Sequence, residues 1–441
     1  MREIEFALAI LFFLFLMSIE PVLSKGKIRL TLEKAVEIAL EKNEDILVAR
    51  TDLRGMKERR KEARSGFFPT LSASGRLTHN IKLPVFYLEF MGRRQEVKMG
   101  LINNYSTNLT LIQPLYAGGK IRTSVEIANI AIGMVNEEYK NTRQSIALQV
   151  KQGFYSVLLM REIVKVNQQA LEQAENHYEN LKNLYERGMV SEFDLIRAEV
   201  QVSNFKPQLL QSENNLKIAK NNLRRILGLE LDSEIEFEGD LTYMPFELKS
   251  TEQMLEEALQ RRPDIKQLYL QKQIMQKNVR MEKSDYLPTL ILAGNYQYQA
   301  QTDETFPATE DFISSINASL QLDFPIFNGF KTPARVQQAM VEVRKINYII
   351  ERALKSIELE IRSLVMKIDE ALKRIESTSK TVQQAEKGYD IALVRYKNGL
   401  STQLEVMDSQ LALNRAKLAY LEAVYDYNTS LAALHKALGR I

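Results

Sequence analysis

The stretch Val150 to Met189, VKQGFYSVLLMREIVKVNQQALEQAENHYENLKNLYERGM, decides the fold. Apolar residues recur every seven positions at Val150, Val157, Val164, Leu171, Tyr178 and Tyr185, with Met160, Ala174 and Leu181 three positions beyond some of these rungs. The ladder ends at Tyr185-Glu186-Arg187-Gly188-Met189 and returns 211 residues later as Ile361, Ile368, Ile375, Val382, Tyr389 and Tyr396, ending at Tyr396-Lys397-Asn398-Gly399-Leu400. A seven-residue period keeps one seam of a long helix facing other helices. The chain is therefore built twice.

Three further landmarks repeat at a constant offset of 219: Ala39-Leu40 with Ala258-Leu259, Asp45-Ile46 with Asp264-Ile265, and Pro69-Thr70-Leu71 with Pro288-Thr289-Leu290. This is one domain made of two copies, with residues 25–228 as the first repeat, 229–250 as a linker and 251–441 as the second repeat. Each copy opens with a short helix, from Thr31 as N-cap through Lys42 or from Thr251 to the break at Pro263. A second helical segment follows, ending at Gly66 or before Pro288. A helix from Lys120 to Arg187 spans ~100 Å, and a return helix from Ser191 to Leu227 plus the segment before the strands span ~55 Å and ~33 Å. Each copy thus gives one unbroken and one composite column. Pro207 is a candidate kink in the return helix, where the second copy has Leu418. Leu229 to Ser250 has no seven-residue pattern and is expected to form a small equatorial patch.

Between the helices the period falls to two. Leu71 to Thr78 alternates, and Tyr105 to Gln113 sets Leu109 and Leu111 against Ser106, Asn108 and Thr110. In the second copy Leu290, Leu292, Gly294, Tyr296 and Tyr298 oppose Asn295, Gln297 and Gln299, and Ile316, Ala318, Leu320 and Leu322 oppose Ser315, Asn317, Ser319 and Gln321. Apolar residues on one side and uncharged polar ones on the other are shared by membrane-barrel strands and by half-buried soluble sheets. Four strands cannot close around a passage, so either several copies share one barrel or the sheet is soluble. The connection Ile81 to Asn103, with Pro84, Gly92, Arg93 and Arg94, is eight residues longer than its counterpart and is expected to be an exposed loop.

The remaining signals are an address and a set of exclusions. Arg2, the twelve-residue apolar run Phe6 to Met17 and the small-residue site Val22-Leu23-Ser24 form a secretory leader over residues 1–24, too short for a spanning helix, which needs about 20. A net charge of +3, with Lys and Glu alternating along helices, argues against nucleic acid. The absence of cysteine excludes disulfides, thiolate metal sites and an acylated N-terminal cysteine. His79, His177 and His435 are scattered and read as surface residues; Gly118-Gly119-Lys120 lacks phosphate-loop spacing, and Ser377-Thr378-Ser379-Lys380 falls within the heptad helix. No catalytic, cofactor or metal site is expected. The chain is not read as an enzyme.

The leader, the duplicated helix-strand-strand-helix order, the junction Pro114-Leu115-Tyr116-Ala117-Gly118-Gly119 and the paired Tyr-x-x-Gly turns resemble the outer membrane efflux protein family of TolC-like outer membrane factors, over Leu30 to Gly439. The resemblance implies a mainly α homotrimer: twelve strands in an outer-membrane β-barrel, continued by twelve helical columns in a periplasmic α-barrel. It implies a passive exit duct of a tripartite efflux or type I secretion system, working with a periplasmic adaptor and an inner-membrane transporter. Adaptor contacts would lie at the tips Gly188-Met189-Val190-Ser191 and Gly399-Leu400-Ser401-Thr402. The family's gate would fall on the pair Tyr396 and Asp194 and on acidic rings at Glu405 and Asp408, while Ser401 stands where the family's latch arginine is expected. The competing reading is a secreted coiled-coil scaffold without a pore, which has no need for four alternating segments at matching positions in both copies.

Overall fold

The computed structural model describes residues 28–440 apart from Met91 and Glu234; the leader read at residues 1–24 lies outside the described residues. The first copy runs β1 (Ile28–Leu30), α1 (Leu32–Lys42), α2 (Glu44–Ser65), β2 (Thr70–His79), β3 (Val85–Phe90), β4 (Arg93–Lys98), β5 (Asn103–Ala117), α3 (Lys120–Glu186) and α4 (Glu192–Ile226). After β6 (Ile235–Phe237) come α5 (Thr251–Arg261), α6 (Pro263–Lys283), β7 (Thr289–Thr302), β8 (Phe312–Asp323), α7 (Lys331–Lys397) and α8 (Gln403–Ala437). The long helices α3 and α7 both have 67 residues, and the return helices α4 and α8 both have 35. Helix α4 continues through Pro207.

The helix ends follow local chemistry. The Thr31 side chain accepts from the Lys34 amide at the start of α1. Between α1 and α2, Asn43 Oδ1 accepts from the amides of Asp45 and Ile46 while its Nδ2 donates to the Ile226 carbonyl at 2.9 Å. One residue thus caps a helix and ties it to the end of α4. In the second copy Pro263 takes the first position of α6, where its missing N–H costs nothing.

The chain divides into two compact units. One comprises the chain up to Ile46 together with Arg143–Met254 and Ile361–Ile441. Its core is the helical seam: Val150, Val157, Ile361, Ile368 and Ile375 are at most 1 % exposed. Further along α3 the burial leaves the seven-residue ladder and passes to Ala170, Ala174 and Leu181, so that Tyr185 is exposed. A straight helix drifts by ~20° per heptad, which carries the later rungs off the seam. In the stretch after α4, β6 runs parallel to β1 and Phe237 lies edge-on to Phe154 at 6.2 Å. The hydroxyl of fully buried Tyr427 donates to the Met244 carbonyl at 2.8 Å and accepts from the Phe246 amide at 2.9 Å.

The other unit comprises Leu47–Thr142 and Leu255–Glu360. It contains an antiparallel sheet of order β2-β5-β7-β8. Lys277 of α6 pairs with Glu126 of α3 at 2.7 Å. Arg262 bridges Asp264 at 2.7 Å and Glu360 at 2.6 Å. The connection between β2 and β5, expected as a loop, instead folds into the hairpin β3–β4, turning at Gly92 with φ 71°. Its strands mix charges with apolar residues, and that masks the period-two signal which revealed the other four.

Candidate functional site

The first element of the site is the register of the four-stranded sheet. Leu71 pairs with Leu111 and Ala73 with Leu109; Leu109 pairs with Tyr296 and Leu111 with Gly294; Tyr296 pairs with Ile316 and Leu292 with Leu320. Directly opposed residues share a face, so the apolar sets of all four strands fall together on one side. On the other side Ser74, Asn108, Gln297 and Ser315 form one row, and Ser72, Thr110, Asn295 and Asn317 form the next. Thr110 Oγ1 donates to Asn295 Oδ1 at 3.0 Å across that polar face. A slip of one residue in any pairing would have mixed the faces. Both outer strands, β2 and β8, have one edge without a partner strand among the described residues.

Below the sheet, where its strands meet helices, apolar side chains are exposed on several connections: Phe67, Phe68, Leu115, Tyr116, Phe324 and Phe327 are 45–74 % exposed. Phe330 joins them in the left-handed conformation, with φ 66°, where the first copy has Gly119 at φ 83°. A non-glycine residue there costs about 1–2 kcal/mol. The second copy therefore keeps a strained aromatic at a place where glycine would relax the backbone.

The second element is the pair of tips. Helix α3 closes with the Gly188 amide on the Tyr185 carbonyl at 2.8 Å and the Met189 amide on the Leu184 carbonyl at 2.9 Å; α7 closes with Gly399 on Tyr396 at 2.9 Å and Leu400 on Arg395 at 2.8 Å. Both glycines have φ 69°, the left-handed value this closure requires. Ser191 caps α4 and Thr402 caps α8. Met189 and Leu400, one residue past each glycine, are each 68 % exposed.

The gate positions make local contacts. Ser191 Oγ donates to the Asp194 carboxylate at 2.7 Å and accepts from the Asp194 amide at 3.2 Å. The Tyr396–Asp194 hydrogen bond that the resemblance implies is not made among the described residues. Instead Tyr396 sits half-buried, edge-on to His177 at 5.4 Å. Burial, and then the nearby Asp194 charge, push the Tyr396 hydroxyl above its ordinary pKa. Ser401, at the position expected for the latch arginine, donates to Glu405 at 2.7 Å. That bond is the main reason the Glu405 carboxyl lies below its ordinary value. Glu405 is the third residue of α8, Asp408 lies nearly a turn further on, and both are exposed.

Sequence reasoning missed His177, read as a surface residue. It is half-buried, its Nε2 has no hydrogen-bond partner among the described residues, and burial lowers its pKa. His435 is likewise partly buried, edge-on to Phe246. Also missed was the buried amide relay in which Gln201 Nε2 donates to Gln410 Oε1 at 2.9 Å and Gln410 Nε2 donates to the Ala170 carbonyl at 2.9 Å. It ties α4, α8 and α3 together. Glutamines look like surface residues in a heptad pattern, and only packing reveals such a pair.

A duplicated pair of helical hairpins joined to a sheet with one apolar and one mainly polar face is the arrangement expected of a membrane-channel class of protein. The sequence model for outer membrane efflux proteins matches residues 35–229 and 254–440, and the chain belongs to that family. It is 21 % identical over 337 residues to outer membrane protein TolC of Vibrio cholerae serotype O1, covering 76 % of this chain and 77 % of the relative. It is 22 % identical over 419 residues to a probable efflux pump outer membrane protein, TtgC, of Pseudomonas putida, covering 92 % and 82 %. The fold matches the Campylobacter jejuni CmeC outer membrane channel with a TM-score of 0.74 at 18 % identity, covering 93 % of this chain and 85 % of that one. This is an outer membrane efflux protein, located in the outer membrane and extending into the periplasm. Among the described residues no helix is long and apolar enough to cross a membrane.

Proposed function

We propose that three copies of this chain assemble a twelve-stranded barrel in the outer membrane and a periplasmic tube of twelve helical columns. The tube forms the passive exit duct of a tripartite assembly with an adaptor and an inner-membrane transporter. The observation that carries this reading is the register: four strands with aligned apolar and polar faces and two unpaired edges. Repetition closes the edges, turns the apolar face to lipid and lines the lumen with Asn, Gln, Ser and Thr. The exposed aromatics at the strand–helix junction suit the membrane interface, where amphipathic rings concentrate. We read residues 25–228 and 251–441 as the two structural repeats and 229–250 as their bridge, a division supported by the equal helix lengths. Detergent-extracted protein is expected to run as a heat-sensitive trimer and to give single-channel conductance; a monomer without conductance would overturn the reading.

The tips Gly188–Ser191 and Gly399–Thr402 are proposed as the adaptor-docking surface, since Met189 and Leu400 expose apolar side chains there. A β-carbon at either glycine meets no atom within 4 Å, so an added side chain would project into open space. Gly188→Asp combined with Gly399→Asp is expected to abolish export with trimer yield unchanged. Aspartate is among the residues that tolerate the left-handed conformation best. Export assays beside heat-shift gels measure both, and normal export would reject tip docking.

The gate is proposed at Tyr396, Asp194, Glu405 and Asp408. Since Ser401 and Asp194 make bonds within their own tips, the latch here differs from the family pattern and rests on the acids. Repeated by threefold symmetry, Glu405 and Asp408 would form stacked carboxylate rings that attract multivalent cations. A trivalent cation added from the tip side is expected to block single-channel current in wild type, with most of the block lost in Glu405→Ala with Asp408→Ala. Equal block in both proteins would remove these acids from the constriction.

A further inference from the structure

The hairpin β3–β4 carries chemistry that an exit duct does not use. Its strands pair from Val85 with Lys98 to Phe90 with Arg93. Alternation places Phe86, Leu88 and Val97 on one face, and they are 55 %, 59 % and 40 % exposed. Over Ile81 to Asn103 four cations, Lys82, Arg93, Arg94 and Lys98, stand against two carboxylates, Glu89 and Glu96. None of the four forms an ion pair among the described residues, although both glutamates belong to the same hairpin. Arg94 lies over the Tyr87 ring at 4.0 Å, a cation–π contact beside the turn. The matching connection of the second copy is the reverse: Asp303, Glu304, Glu310 and Asp311 with no cation. The cationic, apolar surface is therefore particular to one of the two connections.

Strand β2 enters from α2 and β5 leaves into α3, so this connection lies at the end of the sheet away from the helices. If the sheet spans the outer membrane, as proposed above and on which this inference rests, that end is the cell surface. An outer leaflet of phosphorylated saccharolipid would present there an anionic layer over acyl chains, the chemistry that four cations against two carboxylates beside exposed apolar side chains would recognise. We propose that the β3–β4 hairpin docks onto this phosphorylated saccharolipid, with Arg93 and Arg94 on its phosphates and Phe86, Leu88 and Val97 against its acyl boundary. Arginine suits the task because its planar fork binds phosphate through two parallel hydrogen bonds. An exposed apolar face with unpaired cations at its turn matches a surface that is charged outside and oily beneath.

The chain has no tryptophan, so Phe86→Trp adds a single fluorophore on the apolar face. Full-length, detergent-extracted Phe86→Trp protein is titrated with mixed micelles of bisphosphorylated lipid A, and separately with dephosphorylated lipid A, phosphatidylcholine and inorganic phosphate. A saturable blue shift with bisphosphorylated lipid A alone is expected. Adding Arg93→Ala and Arg94→Ala should weaken it roughly thirty-fold, since each basic residue near an anionic membrane surface contributes ~1 kcal/mol. Any of four results overturns the proposal: an equal response to phosphate-free lipid, the same response to inorganic phosphate alone, an undiminished response in the double-alanine protein, or emission already blue-shifted without lipid. Single-channel conductance of the same preparation separates the two levels. Conductance without a lipid response overturns the hairpin proposal alone, whereas absent conductance overturns the duct on which it rests.

Discussion

Leu111→Arg is expected to prevent trimer assembly in the outer membrane, while Asn108→Arg, three residues away on the same strand, assembles normally. Leu111 lies between Leu71 and Gly294 on the apolar face, and Asn108 lies between Ser74 and Gln297 on the polar face. An arginine on the lipid face of a barrel costs ~2–4 kcal/mol near the midplane. In a threefold assembly the cost falls on every subunit at the same depth. On the polar face, the lumen side of the proposed barrel, the guanidinium would stay in water, and Arg76 of β2 already stands there in the same alternation as Ser74. Outer-membrane fractionation with heat-shift electrophoresis measures the contrast. Equal assembly of the two variants would mean that the faces are reversed or that the sheet does not meet lipid.

Gly228→Ala should be the most damaging small substitution in the helical unit. The residue has φ 66°, and its amide closes α4 on the Arg225 carbonyl at 3.1 Å. A β-carbon there would lie 2.5 Å from the Lys42 carbonyl oxygen and 2.8 Å from its carbon. Those atoms belong to the backbone at the end of α1, which the next residue, Asn43, fixes to Ile226, so they cannot turn aside. Left-handed strain and overpacking together cost about 2–5 kcal/mol. Gly188→Ala is the control: the same region of φ, no atom within 4 Å, and a loss of only about 1–2 kcal/mol. Thermal unfolding of the two proteins should separate them clearly, and equal midpoints would show that the α1–α2 junction yields.

Much of the architecture was legible because it is periodic. The seven-residue ladder marked α3 and α7 to within a residue or two, and Thr31, Ser191, Gly188 and Gly399 mark boundaries through chemistry that acts on their immediate neighbours. Alternation in Leu109, Leu111, Tyr296 and Leu320 identified the strands, but only pairing placed their faces on one side. The hairpin β3–β4 stayed hidden because a strand exposed on both faces has no obligation to alternate. At the tips, sequence placed Glu405 and Ser401 near one another without disclosing the bond between them. Nor could it show Tyr396 turned to His177, because packing between α3 and α7 joins residues more than 200 positions apart in a contact that no local signal encodes.

The equality of the two long helices at 67 residues, and of the two return helices at 35, makes the chain a ruler whose two scales must agree. Seven residues inserted into α3 alone would displace its turn by ~10 Å relative to that of α7. The same insertion in both long helices, balanced in α4 and α8, would move both turns together and preserve every seam. Changes in reach are thus available in paired heptads and not in single residues. Lengthening the helical columns would therefore require editing both halves of the gene in step.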